Sequence, residues 1–134
     1  MSIRKPFLIL MILATFLVAT SAGAITGAEL LKQFNRDDDQ TLELPEVIAA
    51  AAKLFAQIDL DDGLTLEHKE TEGRLTDADW RTVDKDNDNA IEMDEWLAAV
   101  RQRFNEADAN KDGNLTVQEL DSPAGQLLIK LIIK

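Results

Sequence analysis

Four twelve-residue segments of this chain share one pattern: NRDDDQTLELPE (35–46), DLDDGLTLEHKE (59–70), DKDNDNAIEMDE (84–95) and DANKDGNLTVQE (108–119). Each opens with Asp or Asn, repeats Asp or Asn two places on, and ends in Glu. The eighth position is always Leu or Ile: Leu42, Leu66, Ile91 and Leu115. A fixed period of this kind marks a repeat architecture, and the spacing restricts it severely. Only residues 47–58 separate the first two segments, and only 96–107 the last two. Twelve helical residues rise about 18 Å, so one helix must serve two segments and hold them at opposite ends. The spacing therefore predicts two shared helices lying antiparallel. The second segment should then pair with the third, and the first with the fourth, placing Leu66 beside Ile91 and Leu42 beside Leu115.

The intervening stretches support helices. VIAAAAKLFAQI is rich in strong helix formers. In WLAAVRQRFNEA, Trp96, Val100 and Phe104 fall on one helical stripe. Leu31 and Phe34, Phe55 and Ile58, Trp80 and Val83, and Phe104 and Ala107 precede the four segments, each pair sharing a helix face. These side chains read as core. Gly73 offers a break between the second and third segments, and Thr76 with Asp79 resembles a capping box. In the tail LDSPAGQLLIKLIIK, Pro123 suits a first helical turn capped by Asp121 or Ser122. That tail is apolar almost all round, which predicts burial against the rest of the chain, with a partner-binding or oligomerising helix as the alternative. The predicted class is all-α: a compact domain of four helix–loop–helix repeats, with short β pairings between segments.

Residues 1–24 stand apart. Arg4 and Lys5 precede an apolar run from Phe7 to Val18, which closes on small residues with Ala22 and Ala24 spaced as A-x-A. This is the pattern of a secretory signal peptide, and the run is short for a membrane span. The expected division is a signal peptide over 1–24 and one domain over 25–134, exported to a periplasmic or external compartment. An uncleaved anchor is the alternative. With no cysteine in the chain, a small core without disulfides needs other support, and bound metal would supply it. The net charge of −11 argues against nucleic acid as a partner and suits cations or basic partners.

Calcium takes six to eight oxygen ligands, and a short loop can wrap it when alternate residues turn oxygens inward. Residues 108–119 match D-x-[DN]-x-[DN]-G-x5-E. Asp108, Asn110 and Asp112 would give side-chain oxygens, Asn114 its carbonyl, Thr116 its hydroxyl or a bridged water, and Glu119 two oxygens. Gly113 permits the sharp turn. This loop with its flanking helices resembles an EF-hand. The whole of 25–134 resembles the small exported EF-hand proteins of bacteria, a likeness that GRLTDADW (73–80) and LDSPAGQLL (120–128) strengthen. The third segment places Asp84, Asp86, Asp88, the Ala90 carbonyl, Glu92 and Glu95 at the same positions, with Asn89 at the turn. The first offers Asn35, Asp37, Asp39, the Thr41 carbonyl, Glu43 and Glu46, with Gln40 replacing glycine. The second keeps Asp59, Asp61 and Glu70. Read over twelve residues, its fifth position is Gly63, which has no side-chain oxygen, and its turn is Leu64. Read one residue shorter, Asp62 and Gly63 take those places and Glu70 falls too far along. The spacing of the other loops favours the twelve-residue reading, which puts Glu67 at the ninth position; on either reading the loop binds weakly or not at all, and serves by pairing with the third.

The expected function is that of an exported calcium-binding protein acting as buffer, sensor or calcium-stabilised adaptor, with Ca2+ as the bound ion. It is expected to be a monomer, free of membrane once the N-terminal segment is removed, with an unknown protein as its target. The alternative is an interaction module similar to the dockerins, which repeat calcium loops at about this spacing but usually end them in Asp. An enzyme is not expected. His68 is the only histidine, and Ser122 the only serine after residue 24.

Overall fold

The computed structural model describes residues 25–134; the expected signal peptide at 1–24 lies outside them. Two fifteen-residue helices organise the rest, α2 (Leu44–Ile58) and α4 (Met93–Ala107). Each begins about three residues before the apolar stretch that predicted it. In α2, Pro45 stands in the first turn, where its missing N–H costs nothing. Val47, Ala50, Ala51, Leu54, Phe55 and Ile58 form its buried face. The buried stripe of α4 runs through Trp96, Ala99, Val100, Arg103, Phe104 and Ala107. The two helices pack directly on each other. Trp96 is fully buried between them: its ring meets Phe55 edge-on with centroids 6.3 Å apart, and its Nε1 donates to the Ala51 carbonyl at 3.1 Å.

Pairing between segments fixes how the long helices lie. Strands β1 (Leu42–Glu43) and β2 (Asn114–Leu115) run antiparallel, with Leu42 opposite Leu115 and Glu43 opposite Asn114. At the other end, Leu66 and Ile91 exchange two backbone hydrogen bonds of 2.9 Å. All four of these apolar residues are wholly buried. The first segment therefore meets the fourth and the second meets the third, as the connection lengths required, and α2 and α4 are antiparallel.

Shorter elements complete the layer. Helix α1 (Gly27–Phe34) starts from a Thr26–Glu29 capping box, and α3 (Asp77–Val83) from a Thr76–Asp79 box. The two strands lead into α2 and α5 (Val117–Asp121). After the second segment there is only a 3-10 turn, His68–Thr71, in place of a full exiting helix. Four helix–loop–helix repeats were expected, and this one lacks its second helix: Gly73 (φ 76), the break expected between the second and third segments, turns the chain within a few residues. The turn is tied to α3 through Trp80, whose Nε1 donates to Thr71 Oγ1 at 2.8 Å and whose ring lies stacked on His68 at 3.8 Å.

The tail forms α6 (Pro123–Ile129), capped by Ser122 Oγ, which accepts from the Gly125 amide at 3.1 Å. A Cβ at Gly125 would lie 2.2 Å from the Glu119 carbonyl oxygen, so only glycine lets α6 leave α5 this tightly. Leu128, Ile129, Leu131 and Ile132 are buried, largely against α4, as expected for an intramolecular role. Two arginines secure the tail. Arg103 donates to the carbonyls of Leu127 (2.6 Å) and Arg74 (3.3 Å), and its Nη2 meets Asp79 Oδ2 at 3.1 Å. Arg74 in turn donates to the carbonyls of Lys130 (2.8 Å) and Ile133. No helix among the described residues is long and apolar enough to cross a membrane.

Candidate metal centre

All four acidic segments are loops closed in one manner, and the closure begins with their last residue. The final glutamate opens the following helix or turn and divides its two oxygens. One accepts the amide of the loop's second residue: Glu46 from Arg36 (2.7 Å), Glu70 from Leu60 (2.7 Å), Glu95 from Lys85 (2.9 Å) and Glu119 from Ala109 (3.1 Å). The other accepts the amide of the ninth residue: Glu43, Glu67, Glu92 and Thr116, at 2.9 to 3.1 Å. One carboxylate thus clasps the start and end of each loop.

The first residue holds the middle. Asp59 accepts the amides of Gly63 and Leu64 (3.1 and 2.9 Å), Asp84 those of Asp88 and Asn89 (3.2 and 3.0 Å), and Asp108 those of Asp112 and Gly113 (3.2 and 2.9 Å). The first loop differs. Asn35 has a single acceptor oxygen, and it takes the nearer amides of Asp37 and Asp38 at 3.2 and 3.1 Å.

The backbone repeats as well. Left-handed residues occur at the fourth position (Asp38, Asp62, Asn87, Lys111) and at the sixth (Gln40, Leu64, Asn89, Gly113) of every loop. This decides the alignment of the second loop. The left-handed turn residue is Leu64 at φ 65, so the loop keeps twelve residues and Gly63 is its fifth.

Two oxygens bound to one calcium at 2.3–2.6 Å lie at most about 5 Å apart. Carboxylate oxygens gather within 4.8 Å of one another in four sets: Asp37, Asp39 and Glu43; Asp59, Asp61 and Glu70; Asp84, Asp86 and Glu95; and Asp86, Asp88 and Glu92. The third loop thus contributes two overlapping sets that share Asp86 and contain all five of its predicted carboxylates. The second loop gathers Asp59, Asp61 and Glu70, without Glu67 at its ninth position. Among the described residues, the carboxylates of the fourth loop form no such set, although its sequence fits the motif best. Two of its ligand positions are amides, and Asn110 Nδ2 turns onto Asp112 Oδ2 at 3.1 Å. Glu46 stands outside these carboxylate sets, while Asn35, Asn110, Asn114, Thr116, Thr41 and Ala90 hold their loop positions with amide, hydroxyl or backbone oxygens. The Thr116 hydroxyl accepts the Glu119 amide at 3.2 Å as the cap of α5.

The crowding leaves an electrostatic mark. The Glu92 carboxyl is pushed up to about 7, chiefly because it shares a hydrogen bond with Glu95 and another with Asp88. Desolvation inside the loops raises Asp86, and likewise Asp37 and Glu43. Asp88 moves the other way, held down first by the Ala90 amide. A proton therefore rests among the third-loop carboxylates near neutrality, where a cation would serve in its place. Glu92 has a raised value in the folded, metal-free protein, so the stability it contributes is complete below its ordinary value near 4.5 and disappears as pH rises through 7. Metal binding has the opposite sign. Calcium affinity of the third loop should fall as pH drops from 8 to 6, with proton release in calorimetry run in buffers of different ionisation heat. Glu92→Gln should flatten both dependences.

The second loop has the fold of a site with one ligand missing. Gly63→Asp restores the fifth oxygen, and Leu64→Gly relieves a left-handed leucine worth about 1–2 kcal/mol. The double variant should bind one more ion per chain than the parent, counted by calorimetric titration. An unchanged count would mean that this loop fails for a reason other than these two residues.

Residues 100–122, spanning the second half of α4, the fourth loop and α5, match the family model described as EF hand. No curated protein matches the chain. The match and the acidic groups support an EF-hand protein, and with it the binding of calcium or a similar metal ion.

Proposed function

We propose that the chain is an exported calcium-binding protein of four EF-hand-type loops, resembling the small multi-EF-hand proteins of bacteria, and that it acts as a buffer or calcium-stabilised adaptor. The observation that carries this reading is the shared closure of the loops, in which the final glutamate holds the second and ninth amides in all four. The donors are all oxygen, as a hard cation requires. In this reading the first, third and fourth loops bind Ca2+ through the residues named above, and the second braces the third through Leu66 and Ile91. Asp84, Asp86, Asp88, Glu92 and Glu95 would hold the ion in the third loop, where its positive charge would offset their mutual repulsion. The chain's own part is to hold the oxygens in place beforehand.

We read the protein as non-catalytic and monomeric. Ser122 is engaged as a helix cap and donor to the Glu119 carbonyl, and the one histidine is stacked on Trp80. Extracellular modules commonly bind calcium with dissociation constants of about 10⁻⁴–10⁻³ M, which favours constant occupancy over fast signalling. Calorimetry should count three ions per chain at millimolar calcium, and circular dichroism should show gains in helix and melting temperature over chelator. No response to millimolar calcium would end this reading.

A further inference from the structure

The most exposed large apolar side chains among the described residues are Leu60 and Leu64, at 78% and 79%. Both stand on the second loop, at its second and sixth positions. The other loops have Arg36, Lys85 and Ala109 at the second position, and Gln40, Asn89 and Gly113 at the sixth. Leu64 is also held at φ 65, a region that leucine disfavours, and in solvent it receives no packing in return. Such an outlier points toward function. The backbone of both leucines is fixed. The Leu60 amide donates to Glu70 (2.7 Å) and the Leu64 amide to Asp59 (2.9 Å). Two apolar side chains are therefore presented on an ordered loop, which limits the ordering cost of binding.

We propose that this loop is an anchoring tip, whose two leucines enter an apolar patch rimmed by lysine or arginine on another protein. The rim follows from charge. Asp61 and Asp62 lie exposed between the leucines, and residues 59–95 carry fourteen acidic against four basic residues. A second copy of this chain, also at −11, would oppose like charge to like, and so would an anionic membrane. The anchor takes over the surface of the loop that lacks its fifth metal ligand, and it does not depend on calcium in that loop.

The test uses the full chain, ¹⁵N-labelled, titrated with a synthetic amphipathic peptide of leucine and lysine. Shift changes should centre on Leu60–Leu64. Leu60→Ser with Leu64→Ser should weaken binding at least tenfold, since each buried leucine is worth about that factor, while the far-ultraviolet spectrum stays unchanged. Leu127→Ser, altering the exposed leucine of α6, should bind like the parent, and a leucine–glutamate peptide should not bind. Three results would each overturn the proposal: absence of binding, equal binding by the double variant with shifts spread over the acidic surface, or leucine-dependent capture by phosphatidylcholine vesicles, which would make the ligand a lipid.

Discussion

Glu95→Gln should remove one bound calcium per chain and lower third-loop affinity by about a hundredfold. Glu95 is, with Asp84, one of the two buried members of the Asp84, Asp86 and Glu95 set and would supply two charged oxygens to the ion. A hydrogen bond or contact to a charged group is worth about 1.5–3 kcal/mol, and 3 kcal/mol is roughly a hundredfold in affinity. From a starting constant of about 10⁻⁴–10⁻³ M, the site would be empty at millimolar calcium. The metal-free protein should feel the change as well. Glutamine has one acceptor oxygen where glutamate has two, so either the Lys85 amide or the Glu92 amide loses its partner. That loss should lower the calcium-free melting temperature by about 4–8 °C. Calorimetric stoichiometry and thermal melts with chelator separate the two effects. A variant that binds as many ions as its parent would show that Glu95 is not a ligand.

Trp96→Ala should be the most damaging single change to the fold. The side chain is fully buried where α2 and α4 meet and holds both an edge-on contact with Phe55 and a hydrogen bond to Ala51. Truncating a buried tryptophan costs about 3–5 kcal/mol, a large part of the 5–15 kcal/mol typical of a domain. The calcium-free melting temperature should fall by about 15 °C or more, with calcium recovering part of the loss. Trp96→Phe keeps most of the packing but removes the second hydrogen bond on the Ala51 carbonyl, which retains its partner within α2, and should cost about 0.5–1.5 kcal/mol for that bond. Chemical denaturation of both variants measures the difference. If the phenylalanine variant were as unstable as the alanine variant, the hydrogen bond would matter more than the ring.

The pairing of Leu42 with Leu115 and Leu66 with Ile91 was legible from chain length alone, because twelve residues admit one helix and no return. The capped starts of α3 and α6 were legible because Thr76, Asp79, Ser122 and Pro123 act over a few residues. The contacts that were missed join distant parts of the chain. Arg103 reaches 24 residues on to Leu127, and Arg74 reaches 56 residues on to Lys130, and no local pattern encodes such a partner. A trace of Arg103 was present: it stands among Trp96, Ala99, Val100, Phe104 and Ala107 on the buried stripe, where a cation needs carbonyls to meet it. The fourth loop shows the limit of a motif. Asp, Asn and Glu at the right spacing specify which atoms are available, while the direction of Asn110 depends on what else is there to accept its amide. In the second loop, the spacing of the other three favoured the turn at Leu64, and Leu64 takes φ 65 there, although Gly63 beside it is the easier residue to bend.

The order in which the loops are joined has one more consequence. The first loop passes through α2 to the second, which is bonded to the third by Leu66 and Ile91; the third passes through α4 to the fourth, which is bonded back to the first by Leu42 and Leu115. Followed this way, the path closes on itself, alternating covalent spans with backbone bridges. A linear array can fray from its ends, but a closed circuit offers no end at which loosening starts. A displacement at one loop therefore has two routes outward, one along a helix and one across a bridge.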